Sequence, residues 1–203
     1  MKKILHIVSS PRGGASYSKQ LGEAIVAKLL TAHPGSTVKT VDLIKKRWPH
    51  LEEAHLTSFY TPLEQYTDET REAIRHSDEA IHDLVEADFV VIGAPMYNFN
   101  IHSALKAWID HIVRSGKTFN VTATGAEGLV KGKKTYVALA SGLVYTEGPM
   151  KPMDFIEPYL RTVLGFIGLT DITFLRVEGT SIPDLKDHAM EKAIAGIAPL
   201  SPQ

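Results

Sequence analysis

The sequence predicts a doubly wound α/β domain built on a five-stranded parallel sheet, and three observations carry that expectation. Short β-type runs alternate with longer helix-period runs along the chain, a pattern whose crossovers cover both faces of a parallel sheet. Runs one, three and four are apolar along nearly their whole length, as strands buried on both faces are. Runs two and five intersperse Thr, Lys, Asp and Arg with apolar residues, as edge strands can.

Taken in order, the first strand is KILHIV, Lys3 to Val8, and it runs into the serine-rich stretch SSPRGGASYSKQL. A helix fits Ser16 to about Leu30, with Leu21, Ala24, Ile25 and Leu29 on one face, and His33-Pro34-Gly35 stops it. The second strand is Thr37 to Leu43. After an irregular segment comes a helix from about Asp68 to Glu86. The third strand starts at Asp88 as DFVVIGAP, and the helix after it spans about Asn100 to Arg114, with Ile101, Leu105, Trp108, Ile109 and Ile112 inward and Ser115-Gly116 as its stop. The fourth strand is Lys134 to Ser141, followed by a helix from about Asp154 to Phe166. The fifth strand is Asp171 to Val177, and a last helix covers roughly Asp184 to Ala195. With strands two and five outside, the order is 2-1-3-4-5, which puts a topological switch point between strands one and three and a ligand crevice beyond the C-terminal strand ends. The whole chain, 1–203, reads as one domain. Two segments, 44–67 and 117–133, exceed the minimal alternation and show no clear secondary structure. Lids or interface arms are what such insertions usually are; Lys45 to Arg47 reads as solvated, and for Trp48, Phe59 and Tyr60 a lid and a solvated excursion both stand.

Composition narrows the chemistry. The chain has no cysteine, so thiolate nucleophiles, zinc–thiolate sites and iron–sulfur clusters are excluded, and redox chemistry would need a bound cofactor. A net charge of −1 lacks the basic footprint of nucleic-acid or anionic-membrane binders. No apolar run approaches the roughly 20 residues of a membrane span and the N-terminus lacks a secretory pattern, so the expected location is the cytoplasm, with the Asn120 sequon a chance match. There is no P-loop, G-x-G-x-x-G, H-E-x-x-H or G-x-S-x-G. Among nine histidines, His102 and His111 are nine apart, the wrong spacing for a shared metal, and no metal is expected.

The strand ends carry the functional signal. After strand one, Gly13 and Gly14 allow close backbone approach, and Ser16 and Ser18 open a helix whose free N–H groups suit a phosphate; a helix cap alone would also account for the serines. After strand three, Pro95, Met96, Tyr97 and Phe99 put an apolar surface where a polar loop is usual, with Asn98 and Asn100 able to cap the next helix. That suits a flat pocket wall. After strand four, Ser141 and Gly142 again bring bare backbone to the crevice. Three such loops at one predicted place favour a ligand over three independent local explanations.

SSPRGGASYS, APMYNFNIHSALKAWIDHIVRSGKTF, EGLVKGKK and PYLRTVLGFIGLTDITFL together resemble the FMN-dependent azoreductases, also described as FMN-dependent NADH:quinone oxidoreductases, along nearly the whole chain. The resemblance implies a flavodoxin-like fold, a homodimer with active sites at the subunit interface, one non-covalent FMN per subunit, and ping-pong electron transfer from NADH or NADPH to quinones or azo compounds. It implies phosphate binding by Ser10, Ser16, Tyr17 and Ser18, ring binding by Met96, Tyr97, Asn98 and Phe99, and a third contact at Ser141 and Gly142. Phe166 matches a residue on the substrate side of the flavin, Val121 stands where some relatives carry an aromatic, and Phe59 and Tyr60 are added as substrate-lining candidates. Related proteins often continue with Arg-Gly-Gly after the serine at 141, where this chain has Gly142-Leu143-Val144. No side chain is expected to act as a catalytic acid or base. The alternative is a flavodoxin-type electron carrier without small-molecule turnover, and a second rival is a flavin-free binding domain.

Overall fold

A computed structural model describes residues 1–197; residues 198–203, the end of the expected domain, lie outside the described residues. Its main sheet contains β1 (Lys3–Val8), β2 (Thr37–Asp42), β3 (Phe89–Tyr97), β7 (Lys134–Ala140) and β8 (Asp171–Val177), all parallel in the order β2-β1-β3-β7-β8. This is the expected 2-1-3-4-5 sheet. The registers Val8↔Gly93, Pro95↔Ala140 and Ala140↔Val177 bring the C-terminal ends together along one edge. Burial follows the apolar patterning: β1 and β7 are buried in all but their first residue, whereas β2 has no buried residue.

Helices cover both faces. On one, α1 (Tyr17–Ala32) packs Leu21, Ile25 and Leu29 with Ala189 and Ala193 of α7 (Pro183–Ala195) against the sheet. On the other, α4 (Asp68–Glu86), α5 (Ser103–Ile112) and α6 (Ile156–Phe166) contribute Leu84, Leu105, Trp108, Ile112, Leu160 and Leu164. Each of these large side chains is almost fully buried and stabilises the fold by about 1.5–3 kcal/mol relative to exposure. Among the described residues no helix is long and apolar enough to cross a membrane.

The helix after β3 differs most from its expected bounds. β3 runs on to Tyr97, turns at Asn98 and Phe99, and pairs Tyr97 with Asn100 of β4 (Asn100–Ile101), an antiparallel hairpin that takes up the residues expected to begin the helix. The cap is therefore neither Asn98 nor Asn100 but His102, whose Nδ1 accepts from Ala104 N at 3.1 Å. At its far end, Thr118 Oγ1 donates to Ile112 O at 2.6 Å, so the helix closes two residues before the expected Arg114.

The two insertions are ordered. Asp42 caps the short α2 (Leu43–Lys46), accepting from Ile44 N and Lys45 N, and α3 (Glu53–Tyr60) follows. Trp48 is buried between the rings of His76 and His111, each 5.6 Å away, so it belongs to the core and not to a lid. Residues 119–128 form a hairpin, β5 (Phe119–Thr122) with β6 (Gly125–Gly128), tied to the end of α6 by Val130 N donating to Ile167 O at 2.9 Å. Gly128 sits against Gly168 so closely that a Cβ would lie 2.2 Å from Gly168 N.

Candidate functional site

At the end of β1, Ser9 Oγ donates to Gly93 O at 2.6 Å and locks β1 to β3. Ser10 Oγ then accepts from Arg12 N at 3.3 Å, turning the chain into a single 3-10 turn, Gly13–Ala15. Gly13 takes φ +55°, which glycine adopts at little cost. Neither Gly13 nor Gly14 has an atom within 4 Å of where a Cβ would lie, so no packing contact demands their smallness. Ser16 is the N-cap of α1, its Oγ accepting from Lys19 N at 3.3 Å, and the same oxygen lies 3.1 Å from Ser18 Oγ. Both serines are buried.

Three further strand ends meet this turn. Ser10, Arg12, Ser16, Tyr17 and Ser18 line a cavity of about 270 Å³ together with Pro95, Met96 and Tyr97 from β3, Ala140, Ser141 and Gly142 from β7, and Thr180 and Ser181 from the segment after β8. Six of those residues are serine or threonine, Arg12 is the only charged one, and no carboxylate is among them. Hydroxyls, a guanidinium and the first N–H groups of a 16-residue helix form a donor set matched to an anion such as a phosphate. A cavity of similar size at the opposite sheet edge has another character: Lys3, Lys39, Asp83 and Glu86 line it, and the Lys39–Asp83 and Lys3–Glu86 ion pairs satisfy one another.

The wall made by β3 ends in a strained turn. Asn98 and Phe99 have φ +49° and +68°, the pattern of a two-residue type I′ hairpin turn. Asparagine tolerates that region; phenylalanine pays about 1–2 kcal/mol for it, and in return its ring stands 43% exposed at the tip. Tyr97 divides this cavity from a second one of about 480 Å³, lined by Asn98, Asn100, His102, Lys106 and Tyr159. Burial pushes the Tyr159 phenol up to about 12 and lowers His102 from its ordinary value.

Of the residues expected from sequence, Ser10, Ser16, Tyr17, Ser18, Met96, Tyr97, Ser141 and Gly142 share one cavity. Asn98 lines the neighbouring one, and Phe99 marks the tip between β3 and β4. The substrate-side candidates are not brought there within one chain. Phe166 packs on Phe119 at 4.6 Å, and Val121, on β5 of the same hairpin, is 76% exposed. Phe59 lies against the Arg114 guanidinium at 4.5 Å, beyond the C-terminal end of α5, and Tyr60 is 80% exposed. Sequence reasoning missed Arg12, Thr180 and Ser181. The last two were signalled by Gly179-Thr180-Ser181 after the fifth strand, the same glycine-and-hydroxyl composition as at the other strand ends.

Comparison with known proteins agrees with this fold. A family model described as flavodoxin-like fold matches residues 2–199. A Mesorhizobium japonicum protein named FMN-dependent NADH:quinone oxidoreductase is 43% identical over 195 residues, 96% of this chain and 93% of the relative. One of the same name from Herminiimonas arsenicoxydans is 47% identical over 182 residues, 90% and 89% of the two chains. Among solved structures, an azoreductase from Bacillus anthracis superposes with a TM-score of 0.90 at 31% identity, covering 98% of this chain and 97% of that one. An FMN-dependent NADH-azoreductase from the same species, solved in complex with FMN, gives 0.87 at 25% identity over the full length of both. Fold, strand-end cavity and sequence together make the chain a member of the flavodoxin-like FMN-dependent NADH:quinone oxidoreductase and azoreductase family.

Proposed function

We propose that the chain is an FMN-dependent oxidoreductase that carries electrons from NADH or NADPH to quinones and azo compounds. The observation that carries this reading is the cavity at the sheet's C-terminal edge, where six serine and threonine side chains and Arg12 converge without a carboxylate beside an apolar strand-end wall. Ser10, Arg12, Ser16 and Ser18 would hold the phosphate end of a non-covalent FMN, and Met96 to Phe99 with Ser141 and Gly142 would bound its ring end. When bound, FMN supplies two-electron transfer, taking a hydride from a reduced nicotinamide and passing the electrons to the acceptor that replaces it. What the chain supplies is position. No carboxylate or imidazole lines the cavity, so holding donor and acceptor in turn against one wall is the contribution of its residues, and side-chain acid–base catalysis is not.

The homodimer belongs to the same proposal. Phe99 and Phe155 are neighbours, Phe155 N donating to Phe99 O at 3.4 Å, and both side chains are substantially exposed. Val121 and Phe166 are exposed where the β5–β6 hairpin meets α6. A second copy laid over these apolar groups would remove them from water and give Phe166, Val121, Phe59 and Tyr60 a route to the partner's cavity. We place the activity in the cytoplasm, where reduced nicotinamides are produced.

The test is spectroscopic. Purified protein given FMN is expected to retain it through gel filtration, bleach on addition of NADH in the absence of oxygen, and recover colour on addition of a quinone. Retained FMN that NADH leaves unbleached would point instead to the flavodoxin-type carrier, which the near-neutral net charge does not favour. Light scattering at two concentrations tests the dimer, with the mass of two 22.3 kDa chains expected.

A further inference from the structure

The segment after β8 runs beside the segment after β7 and shapes it. Ser141 N donates to Val177 O at 2.9 Å, Thr180 Oγ1 to Ser141 O at 3.1 Å, Ser181 N to Gly142 O at 2.9 Å and Gly179 N to Leu143 O at 3.3 Å. The approach is close enough that a Cβ on Gly142 would lie 2.7 Å from Ser181 Oγ. Glu178 continues the contact: its carboxylate accepts from Tyr145 N at 2.8 Å and from the Thr146 hydroxyl at 2.7 Å. Residues 141, 142, 143, 145 and 146 are thus all tied to the chain that follows β8.

Glu178 is itself held. Arg176 Nη1 lies 3.4 Å from Glu178 Oε1, and Arg176 Nη2 lies 2.5 Å from both Asp154 Oδ2 and Glu157 Oε2. The Arg176, Asp154 and Glu178 side chains are each only 10–12% exposed, so the charges sit where solvent screens them weakly. Asp154 Oδ1 in turn accepts from Ile156 N and Glu157 N and starts α6. One guanidinium therefore joins the sheet, the cavity segment and the first turn of α6. Residues 141–146, Ser-Gly-Leu-Val-Tyr-Thr, carry no charged side chain of their own.

We propose that Glu178, held by Arg176, is a positioning residue for the cofactor: by fixing Tyr145 and Thr146 it sets the backbone of Ser141 and Gly142, which line the cavity, without touching the ligand. This rests on the reading of that cavity as the FMN site. Glu178→Ala and Glu178→Gln apoproteins, titrated with FMN beside the unaltered protein by flavin fluorescence, test it; the absorption spectrum of the bound flavin and the unfolding temperature of each apoprotein are recorded with them. Glu178→Ala is expected to raise the FMN Kd about tenfold and to alter the bound spectrum, because two hydrogen bonds to a carboxylate are lost. Glu178→Gln keeps an acceptor for Tyr145 N–H and a partner for the Thr146 hydroxyl, so its Kd is expected within about threefold of the unaltered protein. An unchanged Kd and spectrum in Glu178→Ala would overturn the proposal, whatever happens to its unfolding temperature, and so would an equal loss in both variants. If Glu178→Ala does not fold, Thr146→Val removes one of the two bonds; a rise of about threefold supports the proposal and no rise overturns it. Failure of the unaltered protein to take up FMN would overturn the cofactor reading itself.

Discussion

Replacing Ser16 and Ser18 by alanine, singly and together, separates the two roles that the serine-rich turn plays. Ser16 Oγ accepts from Lys19 N, so Ser16→Ala removes an N-cap, at a cost of about 1 kcal/mol of stability. Ser18 lies inside α1, and among the described residues its hydroxyl is partnered by the Ser16 hydroxyl alone, so Ser18→Ala is expected to leave stability close to unchanged. Toward a phosphate the two should look alike: each hydroxyl donating to a charged oxygen contributes about 1.5–3 kcal/mol, which is roughly a tenfold to hundredfold rise in FMN Kd for each variant. The hydroxyls are 3.1 Å apart, close enough to share one phosphate oxygen, so the double variant should fall short of the product of the single effects. Flavin fluorescence titration of the apoproteins gives the three Kd values, and urea unfolding gives the stabilities. A double variant whose Kd stays within about threefold of the unaltered protein would refute the phosphate assignment, since loss of even one charge-assisted bond exceeds that.

Three other perturbations test separate parts of the structure. His6 is buried on β1 with its Nε2 unpartnered, and burial, helped by Lys19, lowers its pKa from 6.5 to about 4. The unfolded chain then binds a proton that the folded chain resists, so stability present above pH 6.5 is lost as the pH falls through 4, by up to about 3 kcal/mol; urea midpoints at pH 7.5 and 4.5 should diverge less in His6→Asn than in the unaltered protein. Phe99→Gly removes the left-handed strain at φ +68° and should raise the apoprotein unfolding temperature by about 2–4 °C, while weakening FMN binding in the fluorescence titration. Gly128→Ala places a Cβ 2.2 Å from Gly168 N, a backbone atom that cannot rotate away. It should cost about 1–3 kcal/mol and free the β5–β6 hairpin, which limited proteolysis within residues 117–133 would detect.

What the sequence disclosed and what it hid follow from the range of the interactions involved. The strand order was legible because burial on both faces leaves a compositional mark: β1 and β7 are mostly apolar and buried in all but their first residue, while Thr37-Val38-Lys39-Thr40 on β2 is exposed at the edge. The serine turn was legible because capping acts over three residues, Ser16 to Lys19. The β3–β4 hairpin was not, since Tyr97-Asn98-Phe99-Asn100 needs positive φ at a phenylalanine, a conformation no propensity favours. Trp48 was hidden for a different reason. Its burial depends on His76 and His111, which lie 28 and 63 residues away in sequence and meet it only once α4 and α5 are packed.

Thr180 and Ser181 show why a site at strand ends is under-read from sequence. Strand five was assigned to the sheet's edge, and an edge strand invites no expectation of a pocket, yet Ala140↔Val177 is in register and the next residues necessarily emerge beside Ser141. The Thr180 and Ser181 side chains then serve twice, lining the cavity and bracing the segment after β7: Thr180 Oγ1 donates to Ser141 O, and Ser181 Oγ lies 2.7 Å from where a Cβ on Gly142 would be. The segment after β7 carries no charge of its own, and the charged groups that hold it, Arg176 and Glu178, stand at the end of the neighbouring strand and just beyond it.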